Sequence, residues 1–203
     1  EPAAVALHSV GQGNVQIGDT VAVFGAGPIG IMLALWSKTA GAAKVILCDI
    51  DQTKVDFAKS LGFTAVNSRE NDPVAFIKEE TGGKGADVCI EGAGVSQTFE
   101  QALKSAKADG HVVCMGNPAG DMTLTQNGYW EILRKQLTVR GTWNSSYNGE
   151  KNDWKTALHA IATHQVDVRP LISHRFHLSE QEKAFGVILS HEEFFNKVMF
   201  VND

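Results

Sequence analysis

Residues 25–30 read GAGPIG, set between the apolar run "DTVAVF" and the helix-like stretch "IMLALWSKTA". Three glycines in that spacing suit one kind of chemistry. Gly25 gives a tight turn its freedom in φ, Gly27 has no side chain to keep a pyrophosphate from the backbone, and Gly30 lets helix and strand pack closely. Pro28 suits a first helical turn, where its missing N–H is no loss, and the free amides of that turn would face a phosphate. Nineteen residues beyond Gly30, Asp49 closes a second apolar run, followed by Ile50. At that distance a carboxylate can accept from both hydroxyls of a ribose and would repel a 2′-phosphate. The glycine turn and the acid, each at the end of a strand, predict a dinucleotide site that prefers NAD to NADP. Lys54 is either a second contact to that ribose or a solvated helix lysine, and Asp51 is expected to be a helix N-cap. The turns "EGAG" (91–94) and "MGN" (115–117) follow two more strand-like runs. Strand ends of this kind line one crevice in a doubly wound sheet, so Gly92, Met115, Gly116 and Asn117 would carry the nicotinamide half, unless those glycines only make turns.

Other chemistries find little support. Cys48, Cys89 and Cys114 are odd in number, far apart and inside apolar runs, which reads as core thiols rather than a disulfide framework or a C-x-x-C zinc site. Of the seven histidines, His174 and His177 are three apart in a strand-like segment, where such residues face opposite sides. No Ser-His-Asp or Cys-His arrangement is legible, and no zinc site is expected within these residues.

The elements that must hold the glycine turn follow from apolar periodicity. "TVAVFG", "KVILCD", "TAVNS", "DVCIEG", "HVVCMG" and "LTVRGTW" read as six strands, most of them apolar runs ending at Gly or Asp and without polar alternation, as in a parallel sheet covered on both faces. Helices are expected over 28–39, 52–60, 73–81, 96–108 and 154–163, giving an α/β doubly wound, six-stranded Rossmann sheet in residues 1–170. From Leu171 the pattern changes to strand, short helix, strand. Residues 171–203 are therefore expected to be a separate C-terminal unit.

With 203 residues, one main domain is the expectation. A net charge of −5 lacks the basic surplus that nucleic-acid binding needs, and the longest apolar stretch, "IGIMLALW", falls far short of the roughly 20 residues that span a bilayer. No charged-then-apolar signal segment opens the chain, so the expected compartment is the cytoplasm. The first residues, "EPAAVALHSV", have no methionine and read as the middle of a helical region, so the chain is expected to be a fragment.

Taken together, "EPAAVALHSV", "GDTVAVFGAGPIG", "GAAKVILCDID", "AKSLGF", "GADVCIEGAGV", "GHVVCMGN" and "LTVRGTW" resemble the cofactor half of the zinc-containing medium-chain alcohol and polyol dehydrogenases. "GTWNSS", "NDWKTAL" and "VRPLISHRF" look most like the members acting on galactitol 1-phosphate, with the sorbitol and threonine types near neighbours. The resemblance implies that Ile29 lies beside the pyrophosphate, that Asp49 and Lys54 meet the adenosine ribose, that Met115 to Asn117 meet the nicotinamide ribose or amide, and that Trp143, Asn144 and Ser145 lie on the nicotinamide side. Asn144 and Ser145 stand where the sorbitol type has an Arg-Tyr pair. Glu1, in the "EP" motif, would lie beside the catalytic zinc, as a ligand or through its water, or else be only a helix-start carboxylate. The zinc ligands themselves belong to an N-terminal catalytic half that is missing here, so the fragment alone would be inactive, and the tail 171–203 would return to that missing half.

The resemblance further implies a homodimer through the edge strand near Val139, and a possible tetramer at full length. It implies hydride transfer from a secondary alcohol of a polyol or polyol phosphate to NAD, with zinc as Lewis acid in the full-length enzyme. A non-enzymatic NAD(H)-sensing module is the alternative from another class. A zinc-free quinone-type reductase is disfavoured by Asp49 and the "EP" motif.

Overall fold

A computed structural model describes residues 1–190 and 192–202; His191 and Asp203, both within the expected C-terminal unit, lie outside the described residues. In chain order the first elements are α1 (Pro2–Gln12), β1 (Thr20–Phe24), α2 (Pro28–Thr39), β2 (Lys44–Asp49), α3 (Gln52–Ser60), β3 (Thr64–Asn67), α4 (Pro73–Glu80) and β4 (Ala86–Glu91). They continue with α5 (Ser96–Ser105), β5 (Ala106–Cys114), α6 (Gln126–Arg134), β6 (Thr138–Gly141), α7 (Asp153–Ala162), β7 (Ile172–Phe176), α8 (Gln181–Ser190) and β8 (Lys197–Phe200).

The six expected strands form one parallel sheet in the order β3-β2-β1-β4-β5-β6, the doubly wound arrangement. Pleating divides each central strand between two cores. Val21, Val23, Leu47, Val88, Ile90 and Val113 pack under α1, α2 and α3, whereas Ala22, Phe24, Ile46, Cys89 and Val112 pack under α4 and α5. Because both faces are covered, these strands carry no polar alternation, and each fully buried Val or Phe of β1 contributes roughly 1.5–3 kcal/mol. The registers also align the strand ends: Phe24 lies beside Cys48 and Glu91, Glu91 beside Cys114, and Cys114 beside Gly141. Every loop leaving those ends therefore enters the same crevice.

Two expectations are corrected. The helix expected to reach Ala108 stops at Ser105, and β5 starts at Ala106 rather than near His111. The Lys135 ammonium donates to the carbonyls of Leu103, Lys104 and Ala106, taking up acceptors left free by the helix end, and Lys107 pairs with Asp87 across the sheet. The second correction concerns the last crossover. It carries α6, a helix not expected from the sequence, whereas α7 follows β6 and packs against α1. Thr125 caps α6 by accepting from the Gly128 amide, and Gly128 fits closely there, since a Cβ would stand 2.5 Å from Leu124 Cδ1 and push that side chain aside.

The tail has the expected strand, helix, strand order, with β7 and β8 paired in a parallel sheet of their own. β6 is the last strand of the main sheet and all four of its residues are exposed. Among the described residues no helix is long and apolar enough to cross a membrane.

Candidate cofactor site

At the end of β1, Gly25 adopts φ +109°, which lets the chain turn sharply into α2, while its amide still donates to the Cys48 carbonyl of the neighbouring β2 at 2.7 Å. Gly30 meets that turn from inside α2: a Cβ there would come within 2.0 Å of the Gly25 carbonyl oxygen. Gly27, by contrast, is the N-cap of α2, and a Cβ on it would meet nothing within 4 Å. The space before the first amides of α2 is open, with Pro28 opening the helix and no side chain capping it. An open helix N-terminus of this kind suits a phosphate.

Asp49, at the end of β2, braces the turn. Its Oδ2 accepts from the Ala26 amide at 2.7 Å and its Oδ1 from the Asp51 amide at 2.9 Å. A carboxylate has about four lone-pair positions, so acceptor capacity remains on both oxygens. Asp49 and Ile50 line a pocket of about 300 Å³ together with Gly25, Ser68, Val95 and Gln101. Asp51 is the N-cap of α3, as expected, accepting from the Thr53 amide and hydroxyl; the Thr53 hydroxyl holds its carboxyl below the ordinary range. Lys54 points elsewhere, 3.9 Å from Asp51, and lines a different groove with Pro28, Phe194 and Asn196.

A second pocket, of about 290 Å³, gathers most of the residues expected on the nicotinamide side. Glu1, Val5 and Ser9 of α1 form one wall, Ile29, Gly92 and Met115–Asn117 the floor, and Thr142, Trp143 and Asn144 the opposite wall. Ser145 stands behind that wall, its hydroxyl accepting from Trp154 Nε1 at 3.0 Å. Gly94 and Gly116 let two turns touch here, since a Cβ on Gly116 would lie 2.1 Å from the Gly94 nitrogen.

Three residues that shape the site were not singled out from the sequence. Glu91, only 2% exposed, ends β4 and holds the next turn: its Oε1 accepts from the amides of Ala93 and Gly94 at 2.8 Å each and from the Thr98 hydroxyl at 2.7 Å. Its carbonyl accepts from the amides of Met115 and Gly116, so one residue ties both glycine turns together. Thr142, in the wall of the 290 Å³ pocket, has a buried hydroxyl with no partner in the protein. Ser9 is the third, on the α1 wall. Only the carboxyl of Glu91, at the end of an apolar strand, gave a signal in the sequence.

The thiols take no part. Burial pushes Cys48 well above its ordinary range, Cys89 up to about 12 and Cys114 up to about 11, so none is a thiolate near neutrality. His174 is held by Ser173 Oγ at 2.9 Å, and among the described residues no group of three or more His, Cys, Asp or Glu side chains could hold a metal ion.

The sequence profile described as zinc-binding dehydrogenase matches residues 28–163. The chain belongs to the zinc-binding dehydrogenase family. Among curated relatives, L-threonine 3-dehydrogenase of Bacillus subtilis is 32% identical over 193 residues, covering 94% of this chain and 53% of the relative. Galactitol-1-phosphate dehydrogenase of Escherichia coli superposes with a TM-score of 0.87 at 29% identity, over 100% of this chain and 59% of that one. A candidate zinc-binding dehydrogenase of Sinorhizobium meliloti, solved bound to NADP, gives 0.85 at 32% identity, over 100% and 58%. The chain spans about half the length of the curated relatives it matches. In this zinc-binding dehydrogenase domain the strand ends bring together an open helix N-terminus at Gly27 and a braced acid at Asp49.

Proposed function

We propose that this chain is the NAD-binding part of a dehydrogenase, and that Asp49 makes it select NAD over NADP. The observation that carries this is the Asp49 carboxylate, held by the amides of Ala26 and Asp51 at the mouth of the 300 Å³ pocket, with acceptor capacity left for ribose hydroxyls. A 2′-phosphate brought to the same place would meet a fixed negative charge. The amides before α2 would hold the pyrophosphate, and the walls of the second pocket would fix the nicotinamide. When bound, NAD supplies the hydride acceptor; the chain's own residues bind it, orient it and keep water from one face of the ring. Titration calorimetry with NADH and NADPH tests this. NADH should bind and NADPH bind at least about tenfold more weakly; equal or tighter NADPH binding overturns the preference, and absence of both overturns the reading.

In the same reading the whole protein, in the cytoplasm, oxidises a secondary alcohol of a polyol or polyol phosphate, galactitol 1-phosphate being favoured over sorbitol or threonine. By its "EP" motif Glu1, which lines the 290 Å³ pocket, is the chain's one proposed metal contact. Turnover of the whole protein on polyols and their phosphates decides the substrate. The exposed edge strand β6 is proposed to pair with its own copy in a homodimer, since unpaired N–H and C=O groups at a sheet edge favour such pairing.

A further inference from the structure

Trp143 is 79% exposed, and Asn144 holds φ +54°, a conformation uncommon for a residue with a side chain. Burial of apolar surface therefore cannot be what places this wall of the nicotinamide pocket. Polar ties must do so. The next residue but one after Asn144 is tied in both directions: the Ser146 amide donates to Asp153 Oδ2 at 2.7 Å, and the Asp153 amide donates to the Ser146 carbonyl at 2.9 Å. Asp153 opens α7 and is 2% exposed, so its carboxylate needs partners inside the protein. Its Oδ2 also lies 2.8 Å from His8 Nδ1, on α1, with Lys151 Nζ 3.7 Å from Oδ1. Gln12 Nε2 is 3.1 Å from the other ring nitrogen of His8, which leaves the proton on Nδ1 facing Asp153 when the glutamine donates. His8 adjoins Ser9 and follows Val5 by three residues, and Val5 and Ser9 line the pocket from the opposite side.

We propose that His8 and Asp153 form a positioning pin that sets the separation of the two walls of the nicotinamide pocket, α1 on one side and residues 142–146 on the other. This rests on the cofactor reading above and adds to it two residues that touch no part of the cofactor. The pin acts at the nicotinamide end, because the Asp49 pocket is lined by residues of β1, β2 and the loops after them, β3 and β4, together with α5, and by none from α1 or residues 142–146.

The test compares NADH with ADP-ribose, which has the adenosine, pyrophosphate and second ribose but no nicotinamide ring. Calorimetry is run on the wild-type chain, on His8→Phe, which keeps a flat ring, though a larger one, and removes both nitrogens, and on His8→Asn, whose amide can put a donor where Nδ1 stands. NADH should bind the wild type more tightly than ADP-ribose does. His8→Phe should weaken NADH roughly tenfold with ADP-ribose unchanged within about twofold, and His8→Asn should restore most of the difference, as expected for one hydrogen bond to a buried charge. Equal loss of both ligands, loss of neither, or failure of His8→Asn to restore NADH overturns the pin, as does a wild type that binds the two ligands equally. Should His8→Phe not fold, Asp153→Asn is judged on the same ratio. A wild type that binds neither ligand is a different failure, since it removes the cofactor reading itself and the pin with it.

Discussion

Glu91→Ala should be among the most damaging single substitutions in the chain. The carboxyl is 2% exposed, and its Oε1 accepts from three donors, the amides of Ala93 and Gly94 at 2.8 Å and the Thr98 hydroxyl at 2.7 Å. Truncation leaves two backbone amides without an acceptor and opens space for at most one water. Each unsatisfied buried donor costs roughly 1–3 kcal/mol, and the Thr98 hydroxyl has a second acceptor in the Val95 carbonyl, so the loss should total about 3–5 kcal/mol. In a domain of this size that lowers the Tm by about 10 °C. Glu91→Gln keeps an oxygen at the Oε1 position and should lose about 1 kcal/mol. Urea unfolding followed by circular dichroism measures both. If Glu91→Ala unfolds within 1 kcal/mol of wild type, the turn at 91–94 is held by something other than this side chain, and the account of that part of the crevice floor is wrong.

Gly30→Ala should abolish NADH binding and destabilise the chain by at least about 2 kcal/mol, because its Cβ would lie 2.0 Å from a backbone oxygen that cannot move without displacing β1; unchanged calorimetry would refute the packing argument. Burial raises the Cys89 thiol from an ordinary 9.0 to about 12, so the folded state holds that proton more tightly than the unfolded one. Its stabilising contribution is complete below pH 9 and is lost as pH rises from there towards 12, by up to about 1.4 kcal/mol per pH unit. Cys89→Ala should flatten that decline in pH-dependent urea titrations. Val139→Pro, in the exposed edge strand, should convert a dimer to a monomer in light scattering; a dimer that persists places the interface elsewhere.

The glycine turn, Asp49 and the strands were legible because each depends on neighbours in sequence. A parallel strand buried on both faces is an apolar run, and the turn that ends it has a short vocabulary of Gly and Asp. The features that were missed depend on distant residues. The end of α5 is set by Lys135, about thirty positions away, and without that lysine the polar run KADG gives no reason to leave the helix at Ser105. α6 was hidden by Gly128, which ordinarily speaks against a helix but here fits under Leu124 and Glu100. His8 and Asp153 stand 145 residues apart, and nothing local to either marks them as partners. Of Trp143 to Ser145, which the resemblance sets on the nicotinamide side, Trp143 and Asn144 line the 290 Å³ pocket together with Thr142, a residue that carries no local signal, and Ser145 bonds to Trp154 instead.

The central claim is that one crevice, running from Asp49 past the N-terminus of α2 to the pocket between α1 and residues 142–144, is the seat of NAD. A crystal structure of this chain grown with NADH tests that claim most directly. The account predicts the adenosine ribose on the Asp49 carboxylate, the pyrophosphate before Gly27 and Pro28, and the nicotinamide ring between Val5 and Thr142. A cofactor bound with its ribose away from Asp49, or with the pyrophosphate anywhere but the start of α2, would contradict it.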